Sequence, residues 1–256
     1  MNVEAAVYPT AATIGAVIFA YLIFRTLFTY MTPDTVISNY KCCNGGWHEA
    51  KLADCGTTLR RVPQQPINTW SNLAYLAAGL VIQFTVGNDA AFVFAVTMTY
   101  LCIGSTLYHA TSTGWAGVLD VTAILTVFPS IAIYAAGGYF RVANARGMPL
   151  VMFVAAGLIA FLLSKRANQY MRAVIAISLG TSYVILLGYI FRTDQWDLLW
   201  YLGGSLALFV VGYVSWGLDK KEKFPITPWG HGVWHVTTAA ASVLVFYAVH
   251  LSQPGP

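Results

Sequence analysis

The chain has 256 residues, of which 57% are hydrophobic and only 9% charged, with a mean hydropathy of +0.62; in an ordinary soluble domain about a quarter of residues are charged. This balance excludes a soluble globular domain and predicts an all-α, polytopic membrane helix bundle, while the lack of any basic stripe or tract excludes nucleic acid as a partner. The net charge of +4 decides little, because in membrane proteins the placement of Lys and Arg matters more than their sum.

Apolar runs of about 20 residues, the length that crosses a bilayer as a helix, fall at 10–31, 68–86, 90–110, 115–136, 148–164, 171–191, 197–217 and 231–251. The first has no basic n-region. Its N-terminal tail carries only Glu4, and its one basic residue, Arg25, lies toward the far end, so it reads as a retained helix and not as a signal peptide. Residues 32–67 form the one long connection, closing with Arg60-Arg61-Val-Pro-Gln-Gln-Pro66, through which a helix cannot propagate. Two parts follow from this pattern: an N-terminal transmembrane helix with a Cys-containing polar loop over 1–67, and a seven-helix core over 68–256.

Cys42, Cys43 and Cys55 share that polar loop and make no CxxC pair, so a thiolate zinc site of the usual spacing is not expected. A disulfide from Cys55 to Cys42 or Cys43 requires the loop to face an oxidising compartment. Cys102 lies inside an apolar run and reads as packing.

Helix alternation puts the loops 32–67, 111–114, 165–170 and 218–230 on one side of the membrane, side B. Lys41, Lys51, Arg60, Arg61, Lys165, Arg166, Arg172, Lys220, Lys221 and Lys223 lie there, against Arg141, Arg146 and Arg192 on the other side. The positive-inside rule then makes side B cytoplasmic and places both termini outside.

Three short stretches carry the chemistry. They are Ser105-Thr-Leu-Tyr-His109, Asp120 eleven residues on, and His231-Gly-Val-Trp-His235. Ser105 and His109, like His231 and His235, are i, i+4 pairs, so each pair shares one helix face. By helix order all five residues sit at the side B level, and the short link Thr111-Ser-Thr-Gly114 makes the helices bearing His109 and Asp120 neighbours. A single histidine in a bundle is more often interhelical glue than a ligand. Three imidazoles and a carboxylate at one depth instead suit a catalytic zinc site, in which three protein ligands leave one position for water. With His109, His231 and His235 as ligands, water activated by the metal is the expected nucleophile. Asp120 is the candidate general base and acid, or an acceptor that orients a ligand, and Ser105 the candidate hydrogen-bond donor.

These stretches, together with Asn68-Thr-Trp-Ser71-Asn72-Leu, resemble the CREST superfamily of membrane hydrolases, which includes alkaline ceramidases and is related to the adiponectin-receptor group. The resemblance spans 68–251. It implies a seven-helix core, zinc on the three histidines, a site completed by Ser105 and Asp120, and a lipid amide such as ceramide or a related acyl lipid as substrate. Alkaline ceramidases also carry an acidic calcium-binding cluster ahead of the first core helix. Here that stretch reads Arg60-Arg-Val-Pro-Gln-Gln-Pro-Ile, with only Glu49 and Asp54 upstream, so calcium is doubtful and the tie to ceramide is loosened. The alternatives are a lipid esterase or phospholipase of the same superfamily, a non-catalytic zinc-containing receptor or scaffold, and a haem carrier. The i, i+4 histidines argue against the last, since such a pair cannot grip one ring from both faces.

Other polar and aromatic residues have plainer readings. Asn68, Ser71 and Asn72 are expected to cap a helix and bridge helices. His48 and His250 are expected to be solvated or interfacial. Trp70, Trp115, Trp229 and Trp234 fit an aromatic belt, and Lys220-Lys-Glu-Lys223 fits a loop facing lipid headgroups.

Overall fold

The computed structural model describes residues 63, 65–111, 114–139, 167–221 and 229–252. The helices expected over 10–31 and 148–164, as well as Cys42, Cys43 and Cys55, lie outside them. The described residues are helical and contain no strand: α1 (Pro66–Ser71), α2 (Leu73–Val86), α3 (Asp89–Thr111), α4 (Gly114–Tyr139), α5 (Ala167–Thr193), α6 (Leu198–Lys220) and α7 (Gly230–Leu251). Five of them, α3 to α7, are long and apolar enough to cross a membrane. The described residues are thus all-helical, and the chain is an integral membrane protein, as its composition predicts.

The helix expected over 68–86 begins two residues earlier and is interrupted once. Pro66 occupies the first turn of α1, where its fixed φ fits and its missing N–H would have had no acceptor. At Asn72 the backbone stays in the right-handed helical region (φ −65°, ψ −17°), and Tyr75 N–H bonds to the Asn72 carbonyl at 3.0 Å. The interruption is thus a tightened turn between α1 and α2. Gly87, at φ +65°, closes α2 in the left-handed conformation that suits glycine.

Many large exposed side chains are apolar, among them Ile177, Val184, Phe191 and Trp200, the last 83% exposed. In water these would be costly, whereas against lipid tails they are at home. Lipid also gives helices no hydrophobic drive to associate, so packing and hydrogen bonds must do it. Phe94 and Tyr134 meet Phe246 at ring-centroid distances of 4.8 and 5.5 Å, fastening α3 and α4 to α7. Helix α7 sits centrally, packed on α1, α2, α4, α5 and α6.

Most buried hydroxyls are satisfied within their own helix. Thr111, Thr126, Ser130, Ser182 and Ser242 each donate to the carbonyl four residues back, at 2.6 to 3.0 Å. A second group bridges helices, with Tyr75 to Thr238 and Tyr100 to Thr122 both at 2.8 Å. Ordinary membrane-helix chemistry accounts for both groups, and it sets the contrast for the polar residues that follow.

Candidate metal centre

His109 lies in the last turn of α3, while His231 and His235 occupy the first two turns of α7. All three are buried, at 1, 5 and 2% exposure. One ring nitrogen from each lies within 4.8 Å of the others, close enough to hold a metal ion. The rings meet at centroid distances of 4.8 Å (His109 to His231), 5.1 Å (His109 to His235) and 4.6 Å (His231 to His235). The sequence-level expectation that HxxxH on one helix converges with His109 on another is met by this geometry.

Two of the rings are held from behind. Nδ1 of His109 lies 2.7 Å from Gln65 Oε1, and the same oxygen accepts from Asn68 Nδ2 at 3.0 Å. An amide oxygen only accepts, so His109 donates through Nδ1–H and keeps its Nε2 lone pair for the shared centre. Nδ1 of His235 lies 2.7 Å from Ser71 Oγ, whose own hydroxyl donates to the Asn68 carbonyl at 3.2 Å. Ser71 therefore accepts from His235, again leaving Nε2 as the lone-pair nitrogen. Fixing the tautomer and aim of a ligating imidazole through its other nitrogen is the usual way a protein readies a histidine for a metal.

Helix α1 supplies both supports because it is clamped in place. Gln65 N–H donates to the His109 carbonyl at 3.1 Å, and Thr106 Oγ1 reaches the Thr69 carbonyl at 3.5 Å. On the other side, a Cβ on Gly232 would lie 3.0 Å from Ile67 Cγ2 and 3.6 Å from Ser71 Oγ. A side chain there would push α7 off α1 and carry His235 away from Ser71.

Asp120 is not one of the three clustered ligands. It stands in the second turn of α4, with the Ser105 side chain facing its carboxyl. Its Oδ1 is buried and has no hydrogen-bond partner among the described residues. Tyr75, whose ring is 5.8 Å from that of His235, lies within electrostatic range of Asp120, which ties the carboxyl to the same region. Ser105 and Asp120 meet because α3 and α4 nearly touch at Gly104, where a Cβ would stand 2.9 Å from the Leu119 carbonyl oxygen.

Two residues, Gln65 and Asp219, escaped the sequence reading, and two more, Ser71 and Asn68, were read without their part in the site. Gln65 was grouped with the loop before the core, yet it is 1% exposed and holds the His109 ring. Its signal is the i, i+3, i+7 spacing of Gln65, Asn68 and Asn72 across Pro66, a polar stripe opening an apolar run. Of the roles expected for Ser71 and Asn68, the bridging one is met, since Ser71 of α1 bonds His235 of α7 and Asn68 holds Gln65; the capping one is not, since α1 and α2 have no side-chain N-cap. Asp219, 1% exposed, accepts from His231 N–H at 3.2 Å and was hidden beside the lysines of its loop. Of the expected belt, Trp70, Trp115 and Trp229 are exposed, whereas Trp234 packs on Trp216 of α6 at 6.4 Å. His250 ends α7 half-buried, its Nδ1 3.5 Å from Tyr134 Oη.

The weight that Gln65 bears is measurable. Gln65→Ala is expected to weaken metal binding at the three histidines by about 10–100-fold in a chelator competition, and Gln65→Glu, which keeps an acceptor for His109, to retain most of it. Equal affinity in Gln65→Ala and the parent would mean that the bond to His109 does not orient the ligand.

The chain matches no protein-family model, and no curated protein sequence matches it. What it can do must be read from the site itself.

Proposed function

We propose that this chain is an intramembrane zinc-dependent hydrolase of a lipid amide bond, similar to alkaline ceramidases. The observation that carries the reading is the set of three buried histidines within 4.8 Å of one another, two of them pre-aimed by Gln65 and Ser71, inside a bundle whose outer face is apolar. Neutral nitrogen donors with no thiolate among them suit zinc in its catalytic form. His109, His231 and His235 would hold the ion, which when bound supplies water activated for attack on the substrate carbonyl.

The chain's own residues supply the rest. Asp120 takes a proton from the attacking water at its unpartnered Oδ1 and delivers it to the leaving nitrogen, so that the amide plus water becomes a fatty acid and an amine. Ser105 keeps that carboxyl in register. An acyl chain enters sideways from the lipid between helices, and the scissile bond lies at the level of the histidines. The remaining features of this reading are a seven-helix core preceded by a transmembrane helix and a site facing the cytoplasm. The Lys and Arg bias supports that orientation, with Lys220 and Lys221 exposed at the end of α6.

Purified protein is expected to carry about one zinc per chain and to release fatty acid from a panel of N-acyl lipids that includes ceramides. Release from ester lipids alone would replace the amidase with an esterase or phospholipase. Zinc without turnover on any lipid would replace it with a receptor or scaffold.

A further inference from the structure

We infer that Asp219 is a positioning residue for the ligand His231, an inference that rests on the metal-centre reading above. His109 is restrained by Gln65, the N-cap of α1, and His235 by Ser71, its last residue. His231 is reached from the other side, by Asp219 in the last turn of α6.

The first turn of a helix has N–H groups with no acceptor inside the helix, and a side chain at the N-cap normally takes one of them. Helix α7 begins at Trp229, which makes no side-chain cap. Asp219 Oδ2 accepts the His231 N–H instead, at 3.2 Å, so a neighbouring helix caps α7 at the residue that bears a ligand. The acceptor is a carboxylate at the positive end of a helix dipole, where negative charge is favoured.

Burial makes the arrangement costly and therefore informative. Asp219 is 1% exposed, although the chain reaches exposed positions immediately afterwards at Lys220 and Lys221. Burying a carboxyl group is expensive unless its bonds compensate, so this one is placed at a point where its bond matters. The seam between α6 and α7 is closely packed beside this bond. A Cβ on Gly212 would meet Trp234 Cε3 at 3.1 Å, and Trp216 lies against Trp234. Fixing the His231 backbone fixes where its Cβ starts, and hence the arc on which the ring nitrogen can meet those of His109 and His235. Helix α6 brings no ligand of its own to the cluster, and Asp219 is the route by which it shapes the centre.

The test uses the full chain in detergent or nanodiscs, stripped of metal and titrated with zinc against a chelator, and separately loaded with cobalt(II), whose visible bands report ligand geometry. Asp219→Ala is expected to lower zinc affinity by about 10–100-fold and to shift the cobalt bands. Asp219→Asn, which keeps a neutral acceptor for the same N–H, is expected to restore part of the affinity and to preserve the fold if the alanine variant does not. Variants that fold with parental zinc affinity and unshifted cobalt bands would overturn the inference, leaving Asp219 a plain helix cap. Parent protein that takes up neither metal would overturn the metal centre itself, a distinct failure visible before any variant is compared.

Discussion

His231→Ala is expected to remove bound zinc and hydrolytic activity together while leaving the helices intact. Three histidines are available among the described residues to hold an ion, and a catalytic zinc with three protein ligands already keeps one position open for water. Taking one histidine away leaves two nitrogens, on α3 and α7, that cannot retain the ion against water or a mild chelator. Zinc content should fall from about one per chain to below about a tenth, and fatty-acid release should fall with it to the level of metal-stripped parent. The fold should survive, because alanine is the best helix former and α7 is held along its length by Phe246 and its neighbours. His250→Ala is the matched control. It removes an imidazole from the same helix at the far end, beside Tyr134, and should change neither zinc nor turnover. A His231→Ala protein that keeps both metal and activity would sink the proposed function.

Periodicity and run length made the helices legible. The runs expected from 90–110 to 231–251 that fall within the described residues match α3 to α7 to within about a turn, because length and hydropathy are what a bilayer demands of a helix. The clustered histidines were legible for a related reason. A histidine in an apolar run is conspicuous, i, i+4 spacing gives a shared face, and helix order alone sets depth. The supports were not, because each depends on a contact that spacing cannot express. Ser71 serves His235 across 164 positions, Gln65 serves His109 across 44, and Asp219 bonds a backbone N–H that carries no sequence mark. The local readings were reasonable for the residue types: Asn and Ser near a helix start as caps and Gln beside prolines as loop, while Asp219, beside the lysines, drew no reading of its own. Tertiary packing reassigned them. Close approach at Gly104 and Gly232 is likewise invisible until the partner helix is known.

Asp120→Asn should separate chemistry from metal binding. Asp120 lies outside the histidine cluster, so the variant should keep its zinc. The amide of Asn fills nearly the same volume and can still face Ser105, so α3 and α4 have no reason to part at Gly104. What Asn cannot do is accept a proton. In the parent, Oδ1 is buried and free of hydrogen bonds to the described residues, an expensive condition for a carboxyl group unless water or substrate is its partner. A general base in that position accounts for the cost, and its loss typically lowers turnover by about 10²–10⁴-fold. Fatty-acid release at saturating substrate, measured beside zinc content, reads the two effects separately. A variant with full zinc and a rate down by that factor assigns the proton transfer to Asp120. Full zinc with an unchanged rate would move the base elsewhere. Loss of zinc would make Asp120 part of the metal's hold and not of the proton's path. Ser105→Ala should show the first pattern more weakly, since Ser105 faces the Asp120 carboxyl and its loss loosens that group without removing it.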